Sequence, residues 1–243
     1  PAAVKAGQVE AARVRDMALR IVRSMARVGA LDHRAAPGGA IDREAHSAQA
    51  QAMAEAGMVL LKNDGILPLA ATAKSIAVIG RHADKGVPIG GGSSQVIPWG
   101  GVYRDAPGAN PLSALLAPSY GLSSPLKALA AALPGVAISF DDGSDAARAA
   151  EAAKKAELVV IYAVKPEMEG IDHADFSLPD GQDAMIDAVA SANPRTVVVL
   201  QTGNPVAMPW LDKVGGVLEA WFSGQRGGEA MAAILTGKSA PQG

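Results

Sequence analysis

Apolar residues recur at steps of three and four over residues 4–29. Val14, Met17, Ala18, Ile21, Val22, Met25 and Val28 fall on one helical face, and Gly29 supplies a stop. Residues 42–57 carry a second helical pattern, with Asp42 as its expected N-cap. The pattern then changes to short, almost unbroken apolar runs at 75–80, 136–140, 158–164, 196–202 and 217–222. Runs of this kind read as strands buried on both faces, as in a parallel sheet covered by helices. Helical segments near 124–133, 145–157, 181–192 and 226–236 separate them, with Pro134 and Pro194 placed as helix stops. Alternation of strand and helix predicts an α/β fold, a three-layer α/β/α sandwich with a mostly parallel sheet.

Charge divides the chain at the same place as the pattern. Residues 1–34 hold seven Lys/Arg against three Asp/Glu, whereas the remainder hold 15 against 21. The segment HRAAPGGAI at 33–41 reads as a linker between a lone helix at 1–32 and a main domain at 42–243. A single amphipathic helix does not stand alone, so a missing packing partner is expected. The whole chain of 243 residues is 49% hydrophobic with a net charge of −2, which argues against disorder and against a nucleic-acid binder. No apolar run is long enough for a membrane span. Cysteine is absent, so thiolate chemistry and disulfides are excluded. The chain opens on Pro1 without a signal-like segment, which suggests a processed or cut chain; a periplasmic or secreted location is the expectation.

Two connections are longer and less regular than the rest. Residues 86–111 are rich in glycine and proline, and residues 165–180 are crowded with carboxylates. Both follow the carboxyl end of an expected strand, which is where open α/β sheets bind ligands. The strand exit at Ile79-Gly80 lacks the spacing of a dinucleotide loop, the Gly90–Gly92 stretch sits in mid-loop rather than at a helix start, and Gly237-Lys238-Ser239 follows a helix and lacks the first glycine of a phosphate loop. The four histidines show no paired helical spacing, so no metal site is expected. In the acidic loop, Asp175, Asp180 and Asp183 read as local caps of the following helix. Glu167 and Glu169 lie nearer the strand end, where partial desolvation can keep a carboxylic acid protonated for general-acid work.

Several segments, in order, resemble the C-terminal α/β sandwich domain of glycoside hydrolase family 3. They are GMVLLKNDGILPL at 57–69, SIAVIGRHAD at 75–84, GGGSSQV at 90–96, SPLKAL at 124–129 and EGID at 169–172. SLPDGQDAMI at 177–186, ANPRTVVVLQTGNPVAMPWL at 192–211 and EAWFSGQRGGEAMAAILTG at 219–237 continue the resemblance. The opening helix is similar to the last helix of that family's N-terminal (β/α)8 barrel. Lys62, Asn63 and Asp64 are then read as a turn after the first helix of that domain, with Gly65 supplying a positive-φ position.

The resemblance implies a retaining, exo-acting β-glucosidase-type hydrolysis of terminal β-linked sugars, without a cofactor. A barrel aspartate would attack the anomeric carbon, and a glutamate of this domain would protonate the leaving oxygen, the two carboxyl groups being about 5–5.5 Å apart. The EGxD match makes Glu169 the implied acid/base. The chain departs from the fuller family stretch at Met168, Ile171 and His173, which leaves Glu167 as second candidate. Gly170 is expected to let the loop turn. Ser93, Ser94 and Gln95 of the glycine-rich flap, with Asp172, are the implied substrate-binding residues. The implied partners are a β-glucoside or related oligosaccharide or aryl glycoside and the barrel of the same protein, with a homodimer left open. A non-catalytic carbohydrate-binding or interface domain is the alternative.

Overall fold

The structure, a computed structural model, describes residues 1–33, 38–102 and 119–243. Parts of the expected linker (34–37) and of the 86–111 connection (103–111) lie outside the described residues. The chain divides into two compact units, Pro1–Asp42 and Arg43–Gly243.

The first unit holds a short helix α1 (Ala2–Lys5) and a longer one, α2 (Ala11–Arg27). The sequence pattern predicts one helix from residue 4, but Gly7 takes a left-handed φ of 69° and breaks it. Along α2 the apolar stripe Val14, Met17, Ile21, Val22 and Met25 is exposed, and Asp16 is bracketed by Arg13 and Arg20 at helical spacing.

The second unit is a six-stranded sheet between two helical layers. Its strands are β1 (Val59–Asn63), β2 (Ser75–Ile79), β3 (Ala137–Asp141), β4 (Leu158–Val164), β5 (Thr196–Gln201) and β6 (Gly216–Glu219). They lie in the order β1-β6-β5-β4-β2-β3, every neighbouring pair parallel except β1 with β6. Helices α3 (Arg43–Gly57), α4 (Pro125–Ala132) and α7 (Gly227–Leu235) contribute to one core, where Met58, Leu129, Met231 and Ile234 meet Leu158, Val160 and Tyr162 of β4. Helices α5 (Ala146–Lys154) and α6 (Gln182–Ala192) cover the other face, where Ala149, Ile186 and Val189 meet Val159, Ile161 and Ala163. The alternation along β4 therefore feeds both cores, which is why its sequence carries no polar position.

Three expectations change. The segment at Lys62 and Asn63 is strand, not turn: β1 closes the sheet edge antiparallel to β6, with a bulge at Leu61. The turn itself holds Asp64 and Gly65, the latter at the expected positive φ (86°), fastened by Asn63 Oδ1 accepting from the Gly65 and Leu67 amides. Strand β3 is an edge strand and half-exposed, with Phe140 open to solvent, rather than buried on both faces. The last strand ends at Glu219, because Trp221 adopts φ 54° and leaves the extended line.

The strand order sets the functional edge. From β2 the chain places β3 on one side and β4 on the other, so the topology switches direction between β2 and β4. A crevice forms outside the carboxyl ends of strands at such a point. The loop beginning at Gly80 leaves β2 there, and the loop beginning at Lys165 leaves β4 there.

Candidate functional site

The two loops meet directly. The Gly91 N–H donates to the Glu167 carbonyl at 2.7 Å, and Gly91 pairs as a parallel bridge with Met168. Gly92 has φ 89°, and a Cβ on it would lie 2.4 Å from Glu169 Cβ. No other residue fits without moving the acidic loop. A 3-10 turn at Gly92–Ser94 follows, and from it the Ser93 N–H donates to Glu169 Oε2 at 2.7 Å.

Glu169 occupies the second position of a tight turn. The Ile171 N–H donates back to the Met168 carbonyl at 3.2 Å, and Gly170 takes φ 78°, which is the third-position geometry the expected turn needs. The Glu169 carboxylate is thereby carried on the apex of the loop and is exposed. Hydrogen bonds from the Ser93 side chain and from its backbone N–H hold the Glu169 carboxyl below the ordinary glutamate range. The desolvation expected to keep an acid protonated there is not supplied by this chain: the loop apex stands clear of the sheet, so hydrogen bonding wins over burial.

Glu167 is placed differently. Its side chain is about one-tenth exposed, and Asn204 Nδ2 donates to its Oε2. His173 Nε2 lies 2.8 Å from the same oxygen and, facing a carboxylate, acts as the donor. Gly203 lies against its stem with the Phe222 ring beside the same glycine: a Cβ on Gly203 would meet Glu167 Cγ at 3.0 Å and the Phe222 ring at 3.2 Å. Asn204 belongs to the loop that follows β5, so with Gly91 of the flap on the main-chain carbonyl, three strand-end loops meet at this residue.

The other candidates are brought to the same edge with different roles. Ser94 donates from its hydroxyl to the Gly91 carbonyl, and Gln95 reaches Ser119, so both shape the flap. Asp172 and His173 line a cleft of about 390 Å³ with Lys165, Asp175, Phe176 and Asn204. Phe176 is exposed on its wall, while Lys165 is buried and donates to the Asp175 carbonyl. Asp175 receives the Ser177 N–H in a local turn. Asp180 is not a helix cap: Gly181 occupies the N-cap of α6, and Asp180 faces Arg81 at 3.5 Å. Asp183 receives the Leu178 N–H and the Trp210 indole N–H, anchoring the returning chain rather than capping the helix. Among the described residues no cluster of His, Asp or Glu has the geometry of a metal site. Asn204, Gly203 and Phe222 were not candidates from sequence. The signal for Gly203 and Asn204 is the Gly-Asn-Pro that follows β5, and for Phe222 the Trp-Phe-Ser-Gly that follows β6, both within segments already matched to the family pattern.

The model of the glycosyl hydrolase family 3 C-terminal domain matches residues 58–243. This chain belongs to glycoside hydrolase family 3. Within the family it is similar to the thermostable beta-glucosidase B of Acetivibrio thermocellus, at 35% identity over 83% of this chain and 26% of that protein. It is also similar to an exo-alpha-(1->6)-L-arabinopyranosidase of Bifidobacterium longum, at 33% identity over 83% of this chain and 27% of that one. Among solved structures, DesR, a beta-glucosidase from Streptomyces venezuelae crystallised with D-glucose, superposes with a TM-score of 0.84 at 26% identity. That match covers 99% of this chain and 43% of the other. The family 3 chain thus spans about a quarter of the length of those two curated relatives. The six-stranded α/β sandwich described above is the fold of the family's C-terminal domain.

Proposed function

We propose that this chain supplies the general acid/base of a retaining, exo-acting β-glycosidase, with Glu169 as the proton donor and acceptor. The observation that carries the reading is the placement of Glu169: it sits on a turn apex at the topological switch point, with its carboxylate fixed by the flap at Ser93. An acid that must reach over a second domain needs this combination of projection and fixed geometry. The nucleophile belongs to a (β/α)8 barrel, and that barrel together with bound sugar supplies the desolvation that Glu169 lacks here. Closure over the carboxyl would raise its pKa and hold the proton for the leaving oxygen.

The substrate class is a β-glucoside or related oligosaccharide or aryl glycoside. Asp172, His173 and the exposed Phe176 ring offer the mix of polar and aromatic surface that a sugar ring accepts. Ser93, Ser94 and Gln95 form the flap beside it. No cofactor enters this chemistry.

One observation favours a second reading. The lowered Glu169 pKa suits a permanently ionised carboxylate, as in a non-catalytic carbohydrate-binding or interface domain. Turnover separates the two. The enzyme joining this chain to its barrel should hydrolyse an aryl β-glucoside and release the β-anomer first, seen by proton NMR. The chain alone should release nothing, because it lacks a nucleophile. Turnover by the chain alone, abolished by a substitution within it, would overturn the division of labour.

A further inference from the structure

Glu167 is close to Glu169 in sequence, yet it faces the opposite way energetically. Glu169 is exposed and makes its contact with one partner residue, whereas Glu167 is nearly buried and receives two donors on a single oxygen. Burying a carboxylate is costly unless hydrogen bonds compensate, so a site that buries one and aims Asn204 and His173 at it is built around that group. The main chain of the same residue accepts the Gly91 N–H, which aligns the flap with the acidic loop. Its stem lies against Gly203, where even a Cβ would collide with it. Glu167 therefore joins three loops: the flap after β2, the acidic loop after β4 and the Gly203–Asn204 segment after β5. The Met168–Ile171 turn that carries Glu169 starts at the very next residue.

We infer that Glu167 is a positioning residue: anchored by Asn204 and His173, it fixes the base of the turn whose apex presents Glu169 to the glycosidic oxygen. This rests on the reading of Glu169 as acid/base. Glu167 exchanges no proton with substrate. Its Oε2 is held by both donors while Oε1 is buried with no hydrogen-bond partner among the described residues, so the group is turned into the loop junction, and its backbone sets where Glu169 stands. Displacing a reacting group by about 1 Å can cost on the order of 10²-fold in rate, so loss of the anchor should be felt only where proton donation limits the reaction.

The test uses the enzyme that joins this chain to its barrel, with two aryl β-glucosides, one with a poor and one with an activated leaving group. Glu167→Ala should lower kcat for the poor leaving group by about 10–10²-fold, with the activated one much less affected and KM little changed. Added azide should give no rescue, because the carboxylate at 169 still fills its place. Introduced into Glu169→Ala, the same substitution should cost nothing further, since no acid remains to be positioned. Asn204→Ala removes the anchor from the other side and should repeat this signature, so a Glu167→Ala protein that fails to fold does not shelter the idea. Equal losses on both substrates, persisting in the Glu169→Ala background, would show a merely structural role and overturn the inference. Azide rescue of Glu167→Ala would make Glu167 the acid itself and overturn both assignments. Wild-type activity on Glu167→Ala, beside a crippled Glu169→Ala, would sink the positioning role while leaving Glu169 as the acid.

Discussion

The backbone N–H of Ser93 donates to Oε2 of Glu169 across 2.7 Å, although 76 positions separate the two residues in the chain. This single bond ties the flap that leaves β2 to the turn that leaves β4. It fixes the direction in which the carboxylate points, and it also stabilises the ionised form. Geometry and protonation are thus set by the same contact, and they pull in opposite directions for an acid catalyst. For the acid role proposed above, the orientation is ready in this domain, and the protonated state would come from a surface that closes over it.

Gly92→Ala tests the contact between the two loops. The position has φ 89°, and a Cβ would come within 2.4 Å of Glu169 Cβ. The left-handed backbone alone costs an alanine about 1–2 kcal/mol. The clash must also push the acid turn away from the flap. The expected result is a modest fall in melting temperature with a fall in kcat on the order of 10–10²-fold for a poor leaving group. Unchanged kinetics would mean that the flap does not position the acid.

The titration of Glu169 in the chain alone follows from the same hydrogen bonds. Its midpoint should lie below the ordinary glutamate value of about 4.3. A depressed carboxylate contributes stability that is present above the unfolded value and is lost as pH falls through the folded one. Carbon-detected NMR of the side-chain carboxyl gives the midpoint directly. Ser93→Ala, which removes the hydroxyl and keeps the backbone donor, should raise it part of the way. A midpoint above the ordinary value in the isolated chain would contradict the geometry.

Glu219 gives a prediction of opposite sign. At the end of β6 its buried carboxylate accepts from the Thr202 hydroxyl at 2.9 Å and from the Trp221 N–H at 2.8 Å, holding Trp221 in its left-handed conformation. Burial pushes the Glu219 carboxyl up, against the hydrogen bonds that favour its charge. The stability it contributes is therefore full below the unfolded value and is lost as pH rises through the elevated one. Glu219→Gln cannot titrate, so in urea unfolding it should gain stability relative to wild type as pH rises above the ordinary glutamate value. Glu219→Ala leaves buried donors unmet and should cost about 1–3 kcal/mol. A wild-type advantage that grew with pH would show that Glu219 is charged in the folded protein.

The legible parts of this fold are those whose signal is local. Strands β4 and β5 read cleanly because every residue from Leu158 to Val164 and from Thr196 to Gln201 is buried. Strand β1 did not read as a strand, because it follows α3 almost at once, is half-exposed, and is defined by pairing with β6, whose residues lie far along the chain. The site divides in the same way. Glu169, Gly170 and Ser93 belong to recognisable stretches and are named from the sequence alone. Asn204 as a partner of Glu167 was not, since a hydrogen bond between the ends of two parallel strands leaves no periodicity in either segment. The caps assigned to Asp180 and Asp183 failed for a related reason. A carboxylate before a helix looks alike in sequence whether it caps the helix or reaches, as Asp183 does, to an indole 27 positions away.

The central claim, that Glu169 is the acid/base, is met most directly by Glu169→Ala in the enzyme that joins this chain to its barrel, assayed on aryl β-glucosides of graded leaving-group acidity. General acid–base catalysis is worth about 10²–10⁴-fold, so the poorest leaving groups should lose that much. The most activated should keep a fast first step and stall in hydrolysis of the glycosyl-enzyme. Azide, which needs no general base, should then restore turnover and yield the β-glycosyl azide. A Glu169→Ala enzyme whose loss is the same for every leaving group, and which azide does not accelerate, would contradict the claim.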